Sequence, residues 1–186
     1  MTSLLDRLRA DHRNFAFLVK AVEAALKRFN AGETPDYGLL LSAVEYLHDY
    51  ADQQHHPAED IVFKRLKRCA PGEAESCGDL LSDHQRLEVL TERFLAMLRE
   101  VLADGTVARD DFDREAFAFL DAQRKHMRAE DARFFTAAER ALTPRDWEEL
   151  ALEARSRPDP LFGARAEARY AALRHAIDAL ARETGV

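Results

Sequence analysis

The sequence predicts an all-α fold, an up-down-up-down four-helix bundle with additional C-terminal helices. Apolar residues recur at steps of three and four along almost the whole chain, and no segment alternates convincingly with a period of two. Short stretches of small and polar residues separate four such apolar seams, so that neighbouring helices run antiparallel. We therefore divide the chain into a bundle over residues 1–142 and a helical extension over residues 143–186 that packs on it.

The first two helices follow from their seams and from residues that cap or end helices. The first seam includes a histidine and comprises Leu5, Leu8, His12, Phe15, Val19, Val22, Leu26 and Phe29. Ser3, with Asp6 three residues later, can cap the start of this helix. Residues 31–35 end it, with Thr34 as the predicted N-cap of the second helix and Pro35 at its first position. The second seam comprises Leu40, Val44, Leu47, Ala51, His55, Glu59, Val62 and Leu66.

A predicted loop over residues 69–78 leads to the third helix, and residues 103–106 lead to the fourth. The third seam comprises Leu80, His84, Leu87, Thr91, Phe94, Leu98 and Val101. The fourth seam comprises Phe112, Ala116, Phe119, Gln123, His126, Glu130, Phe134 and Ala137. In the extension, Thr143 and Pro144 start a short helix around Trp147. A last helix is predicted over residues 164–181, bearing Tyr170, Leu173, Ile177 and Leu180.

Composition and charge exclude several classes of protein. Hydrophobic residues make up 47% and charged residues 33%, which is typical of a globular protein. The formal net charge of −7 argues against nucleic acid as the main partner, because binding phosphates requires a basic face. The N-terminal residues lack the apolar region of a signal peptide, and no apolar run approaches the length of a membrane span. Cys69 and Cys77 are too few for a disulfide framework, so we expect a cytoplasmic protein that does not associate with membranes.

The two halves of the chain repeat one pattern of histidine and glutamate. Each half has a lone histidine, His12 or His84, preceded by an aspartate. Each also has a His-x-x-x-Glu pair followed by aspartate, within His55-His56-Pro57-Ala58-Glu59-Asp60 and His126-Met127-Arg128-Ala129-Glu130-Asp131. The lone histidine precedes its pair by nearly the same number of residues in both halves. The halves therefore look like copies of one helical hairpin.

Helical geometry predicts that these residues form one site. A spacing of four places the two members of each pair on one helix face, and that face is the apolar seam. Counting along the helices puts His12 at the level of His55, and His84 at the level of His126. Burying four imidazoles and two carboxylates without partners would cost several kcal/mol, which a bound metal would offset. Nitrogen and oxygen ligands without thiolate suit iron and, less distinctively, manganese or zinc.

The order lone His, His-x-x-x-Glu, lone His, His-x-x-x-Glu over residues 3–141 resembles the hemerythrin HHE cation-binding family. A ferritin-like protein would instead show Glu-x-x-His motifs. The resemblance implies two non-haem iron ions joined by an oxo or hydroxo bridge. It further implies that His12, His55, His84 and His126 are terminal ligands and that Glu59 and Glu130 bridge the irons.

The sequence departs from the oxygen-carrying hemerythrins at one place. Those proteins have a fifth histidine on the third helix, four residues from another histidine. In this chain the residue four before His84 is Leu80 and the residue four after it is Glu88. Glu88 is a candidate metal ligand at this vacancy, and a rim carboxylate with solvent in the vacancy is the alternative. Either arrangement favours a more open and reactive centre than that of a simple oxygen carrier.

The remaining polar candidates are interpreted as lying outside the metal shell. His48 is expected to be a core histidine, with a pocket-lining role as the alternative, and His56 is expected on the surface. Asp60 and Asp131 are expected to be solvated, with hydrogen bonding to the ligands as the alternative. Cys69 and Cys77 are expected to be ordinary free thiols, with a redox-responsive pair as the alternative.

The predicted centre leaves several functions open. The first is binding of dioxygen, nitric oxide or peroxide in oxygen or redox sensing or a stress response, which would need a protein partner to pass on the signal. The alternatives are a redox enzyme that decomposes peroxide and a protein for iron handling or iron-centre repair. A purely structural bundle is the least favoured, because it does not account for the repeat.

Overall fold

The computed structural model describes residues 3–154 and 157–184, with side chains up to residue 179. The fold is all-α, as predicted: α1 spans Leu4–Asn30, and α2 is a continuous helix made of Tyr37–Tyr46, Leu47–His55 and His56–Cys69. A short helix, α3 (Pro71–Ser76), precedes α4 (Leu80–Leu102). The fourth bundle helix, α5, is made of Arg109–Ala129, Glu130–Phe134 and Phe135–Ala141. The extension contains α6 (Pro144–Glu153) and α7 (Ala171–Thr184).

The helix ends agree with the sequence in part. Ser3 and Asp6 form the predicted capping box of α1, with the Asp6 N–H donating to the Ser3 hydroxyl at 3.1 Å. The predicted N-cap of α2 is wrong: Asp36 caps the helix by accepting from the Leu39 N–H at 3.0 Å, and Thr34 and Pro35 precede it. The connection over residues 69–78 is also more than a loop, because Pro71 starts α3 there.

Two helices contain π-helical segments, which the sequence analysis did not predict. Leu47–His55 in α2 and Glu130–Phe134 in α5 have wider turns than the α-helix around them. The first segment ends at a predicted ligand and the second begins at one. Such segments change which residues share a helix face, and in helices they are frequent at functional sites.

The four predicted seams form the interior of the bundle. Every seam residue is buried except Phe29 and Val101, which are half-buried. Two apolar clusters fill this interior, one around Phe15, Phe94 and Phe119 and the other around Phe63 and Phe134. Along each helix, the buried histidines and glutamates lie between residues of the two clusters.

The extension contacts both clusters. Leu150 of α6 is fully buried in the Phe63–Phe134 cluster, while Leu173 and Ile177 of α7 pack against the Phe94–Phe119 cluster. The predicted start of the last helix is wrong: α7 begins at Ala171 after a 3₁₀ turn over Ala168–Tyr170. The side chain of Leu180 lies outside the described part. The same holds for residues 1–2, 155–156 and 185–186, which belong to the two predicted domains. The division of the chain at residue 142 stays a prediction.

None of the helices within residues 3–154 and 157–184 has both the length and the apolar character needed to cross a membrane.

Candidate metal centre

The structure brings the repeated histidines and glutamates together in two adjacent groups. In the first group, potential ligand atoms of His12, His55 and Glu59 lie within 4.8 Å of one another. In the second group, the same holds for His56, Glu59, His84 and His126. Glu59 belongs to both groups, so the arrangement has room for two metal ions that share this carboxylate.

The Glu59 carboxylate lies between the two groups with its side chain fully buried. Its Oε1 is 3.2 Å from Nε2 of His55 and 3.6 Å from Nε2 of His12. Its Oε2 is 3.5 Å from Nε2 of His84. Each oxygen therefore faces a different group, as a bridging carboxylate requires.

Glu130 holds the corresponding position in the second half of the chain. Its Oε2 is 3.0 Å from Nε2 of His126 and 3.3 Å from Nε2 of His12. Its Oε1 is 3.2 Å from Nε2 of His84. This carboxylate also contacts imidazoles of both groups.

Several atoms of this cluster fit a bound metal because they lack other partners. Among the described residues, no hydrogen bond reaches Nε2 of His55 or His126, either oxygen of Glu59, or Oε2 of Glu130. An unsatisfied buried polar group costs about 1–3 kcal/mol, and more if it is charged. Metal coordination would use these lone pairs, and a set of imidazoles and carboxylates without thiolate suits iron.

Aspartates orient three of the four histidines that the sequence analysis assigned as ligands. The Nδ1 contacts are His12 with Asp131 at 2.9 Å, His55 with Asp11 at 3.1 Å and His84 with Asp60 at 2.7 Å. Such contacts fix the ring and leave Nε2 free for a metal. The alternative stated for Asp60 and Asp131, hydrogen bonding to the ligands, is therefore confirmed, while Asp131 is also solvated as expected and Asp60 is half-buried.

Asp11 was missed as a functional residue because its partner lies on another helix. The recurrence of aspartate before each lone histidine was the available signal, but Asp11 contacts His55 and not its neighbour His12. Its other oxygen accepts from the Tyr50 hydroxyl at 3.4 Å. Asp11 therefore connects the first group to the aromatic cluster around Tyr46 and Tyr50.

In the metal-free cluster, negatively charged carboxylates lie next to imidazoles whose pKa values they raise. Burial lowers the pKa of His12, but its contacts with Asp131, Glu130 and Glu59 outweigh this and raise it to about 12. Burial likewise opposes protonation of His84, whose carboxylate neighbours nevertheless raise its pKa to about 11. For Glu59, burial would raise the pKa, but the surrounding imidazoles hold it well below its usual range.

Because of these charges, metal binding should release protons, and it should tighten as the pH rises. His12 and His84 have raised pKa values and carry protons at neutral pH, and a metal must displace those protons to bind their nitrogens. Calorimetric titration with ferrous iron in buffers of different ionisation enthalpy measures the release. Binding whose heat and affinity do not depend on buffer or pH would contradict this charge assignment.

His56 is buried in the centre, so the prediction that it lies on the surface is wrong. Successive helical residues differ in direction by roughly 100°, and α2 packs between α1 and α4. His55 therefore faces His12 on α1, with ring centroids 5.0 Å apart. His56 faces His84 on α4, with centroids 4.3 Å apart. The sequence analysis allowed only His55 to face inward at this level of α2, whereas His55 and His56 are both buried in the centre.

His48 and Glu88 lie outside both groups. The expectation that His48 is a core histidine is wrong: its side chain is 28% exposed, and its Nδ1 is 3.1 Å from Asp49. On an ideal α-helix His48, seven residues before His55, would face the same way as His55, but the π-helical segment Leu47–His55 changes that spacing. Glu88 is half-buried at the rim, where it accepts from Gln53 at 3.4 Å.

Two depressions of unlike charge approach the centre from different helix pairs. One, between α2 and α4, has a volume of about 330 Å³ and is lined in part by His56, His84 and the carboxylates of Asp52, Asp60 and Glu88. The other, between α1 and α5, has a volume of about 250 Å³ and is lined in part by His12, Met127 and the cations of Lys20, Arg124 and Arg128.

This fold and site define a helical-bundle protein with a buried histidine and carboxylate centre that fits metal. The family model of the hemerythrin HHE cation binding domain matches residues 3–138, and the chain belongs to that family. No curated protein and no solved structure matches the chain. The matched residues hold both groups, whereas α6 and α7 lie beyond them.

Proposed function

We propose that the protein is a non-haem di-iron protein that binds dioxygen, nitric oxide or peroxide and serves in oxygen or redox sensing or a stress response. The observation that carries this proposal is the convergence of buried imidazoles and carboxylates, several of whose metal-facing atoms lack hydrogen bonds. The proposed ligands are His12 and His55 for one iron, His84 and His126 for the other, and Glu59 and Glu130 as bridges.

Iron held there would supply a ferrous–ferric redox change and coordination positions open to small ligands. The residues of the chain control access and orientation. Phe15 packs edge-on against His55 with ring centroids 4.9 Å apart, and Phe135 lies 4.9 Å from His12 by the same measure. These rings shield the first group from water. Asp131 and Asp11 fix the imidazoles of His12 and His55 in that group.

We further propose a cytoplasmic protein with a small-molecule ligand and, for a sensing role, a protein partner. Cys69 and Cys77 are both free thiols, which fits a reducing compartment. The net charge of −7 supports the exclusion of nucleic acid as the main partner.

Iron content and redox response test this proposal directly. The full chain, reconstituted anaerobically with ferrous iron, should hold two irons and develop ferric charge-transfer absorption on exposure to air. A binding or sensing protein should then leave added peroxide largely unconsumed, whereas sustained peroxide loss would favour the enzyme. A folded protein that retains no iron would contradict the proposal.

His55→Ala and His126→Ala should each lose one iron equivalent, because each removes a ligand from a different group. Elemental analysis after gel filtration measures the loss. His175→Ala, a change at an exposed histidine of α7, is the matched control and should keep both irons. Unchanged iron content in both ligand variants would contradict the assignment.

A further inference from the structure

We propose that His56 is a fifth imidazole ligand and that it makes the two metal positions unequal. The inference rests on the proposed function and assigns a residue outside the repeated ligand set. Under it, the second group offers three imidazoles, from His56, His84 and His126, while the first offers two.

The position of His56 supports ligation. Its side chain is buried, and one of its ring nitrogens lies within 4.8 Å of the ligand atoms of Glu59, His84 and His126. The ring stacks on His84 with an interplanar angle of 11° and meets His126 edge-on with centroids 5.1 Å apart. Since Glu59 follows His56 by three residues, both side chains project from the same side of α2.

Asp52 places a carboxylate next to Nδ1 of His56, although this contact lacks the hydrogen-bond geometry of the aspartate contacts at His12, His55 and His84. Its Oδ1 lies 3.2 Å from Nδ1 of His56, one helical turn away, and its side chain is almost fully buried. Neither Asp52 oxygen has a hydrogen-bond partner among the described residues. An aspartate at Nδ1 leaves Nε2 for the metal, as in the contacts of His12, His55 and His84.

The internal repeat shows that this pair is present in one half only. At the positions that correspond to His56 and Asp52, the second half has Met127 and Gln123, both buried. A purely structural role would be met by apolar and amide side chains, as it is there. The histidine and carboxylate in the first half are costly to bury and call for a ligand that uses them.

The consequence is an asymmetric centre. The fifth histidine that α4 lacks comes from α2, directly after His55. Fewer protein ligands then remain at the His12–His55 position. This position lies beside the depression whose charged lining is three cations, Lys20, Arg124 and Arg128, and one carboxylate, Asp131. Small anionic ligands are therefore expected at that position and not at the one that His56 completes.

His56→Met gives the first half the residue that the second half has at this position, and it provides the test. The full chain is titrated anaerobically with Co²⁺, whose visible absorption reports coordination, and with Fe²⁺ for stoichiometry. We expect two tight equivalents in the wild type. In His56→Met, one equivalent should weaken by at least about 100-fold and its cobalt spectrum should change, while the other is unaffected. Asp52→Asn should weaken the same equivalent by about 10- to 100-fold.

His48→Met is the matched control, because it makes the same change on the same helix at a half-exposed histidine outside the centre. It should leave both equivalents and the cobalt spectrum unchanged. Circular dichroism checks the fold, and Asp52→Asn, which leaves the His56 ring in place, decides the matter if His56→Met does not fold. Two undiminished equivalents in the folded variants would overturn the role of His56 and leave the six-residue centre intact. A wild type without tight binding would overturn the proposed function and this inference together.

Discussion

Glu59→Gln is expected to abolish metal binding at both positions while the bundle stays folded. Glu59 is fully buried, with one oxygen facing His12 and His55 and the other facing His84. The amide has nearly the same shape, but it carries no charge and offers one oxygen in place of two. The amide can no longer give each metal position its own charged oxygen, so both positions lose a carboxylate ligand.

Iron stoichiometry after anaerobic reconstitution, with circular dichroism for the fold, measures this effect. Glu88→Gln is the matched control, since the same change is made at a half-buried carboxylate outside both groups. It should retain two irons with the wild-type spectrum, and an altered spectrum would show that Glu88 does ligate. Two irons bound to Glu59→Gln would contradict the bridging role.

The seams and the repeat could be predicted because they depend on the local period of the helix. Apolar residues spaced by three and four identified four buried faces, and the structure buries nearly all of them. The same spacing placed Glu59 beside His55, and Glu130 beside His126, on those faces. The resemblance to the hemerythrin HHE family rests on that order, and the family match confirms it.

The errors at His48 and His56 have different physical origins. His48 was placed on an ideal helix, whereas α2 contains the π-helical segment Leu47–His55. Such segments are rare insertions in α-helices, and the sequence analysis applied the α-helical period throughout. A helix at the centre of a bundle also buries more than one row of side chains, so His55 and His56 both face inward.

The aspartates at the centre could not be assigned because their contacts cross between helices. Asp131 of α5 contacts His12 of α1, and Asp60 of α2 contacts His84 of α4. Their spacing to the nearest glutamate was visible, but the histidine that each one meets depends on how the helices pack. Packing also determines which of the four histidines lacks such a partner among the described residues, and that histidine is His126.

Phe119→Ala is expected to lower the free energy of unfolding by about 3–5 kcal/mol, the usual cost of truncating a buried phenylalanine. Phe119 is fully buried in the cluster around Phe94, whose ring centroid lies 5.3 Å away. It is two helical turns before His126, outside both groups of metal-facing residues. The loss should therefore appear in urea unfolding of the metal-free protein, while the reconstituted variant keeps two irons.

Phe117→Ala makes the same change on the same helix at a side chain that is 70% exposed, and it should change stability by less than about 0.5 kcal/mol. The pair separates burial from helix propensity, since both variants place alanine inside α5. Equal stability losses in the two variants would contradict the predicted facing of the fourth seam. Loss of iron from a folded Phe119→Ala would show that this cluster also positions the metal ligands, because the histidines lie between it and the cluster around Phe63 and Phe134.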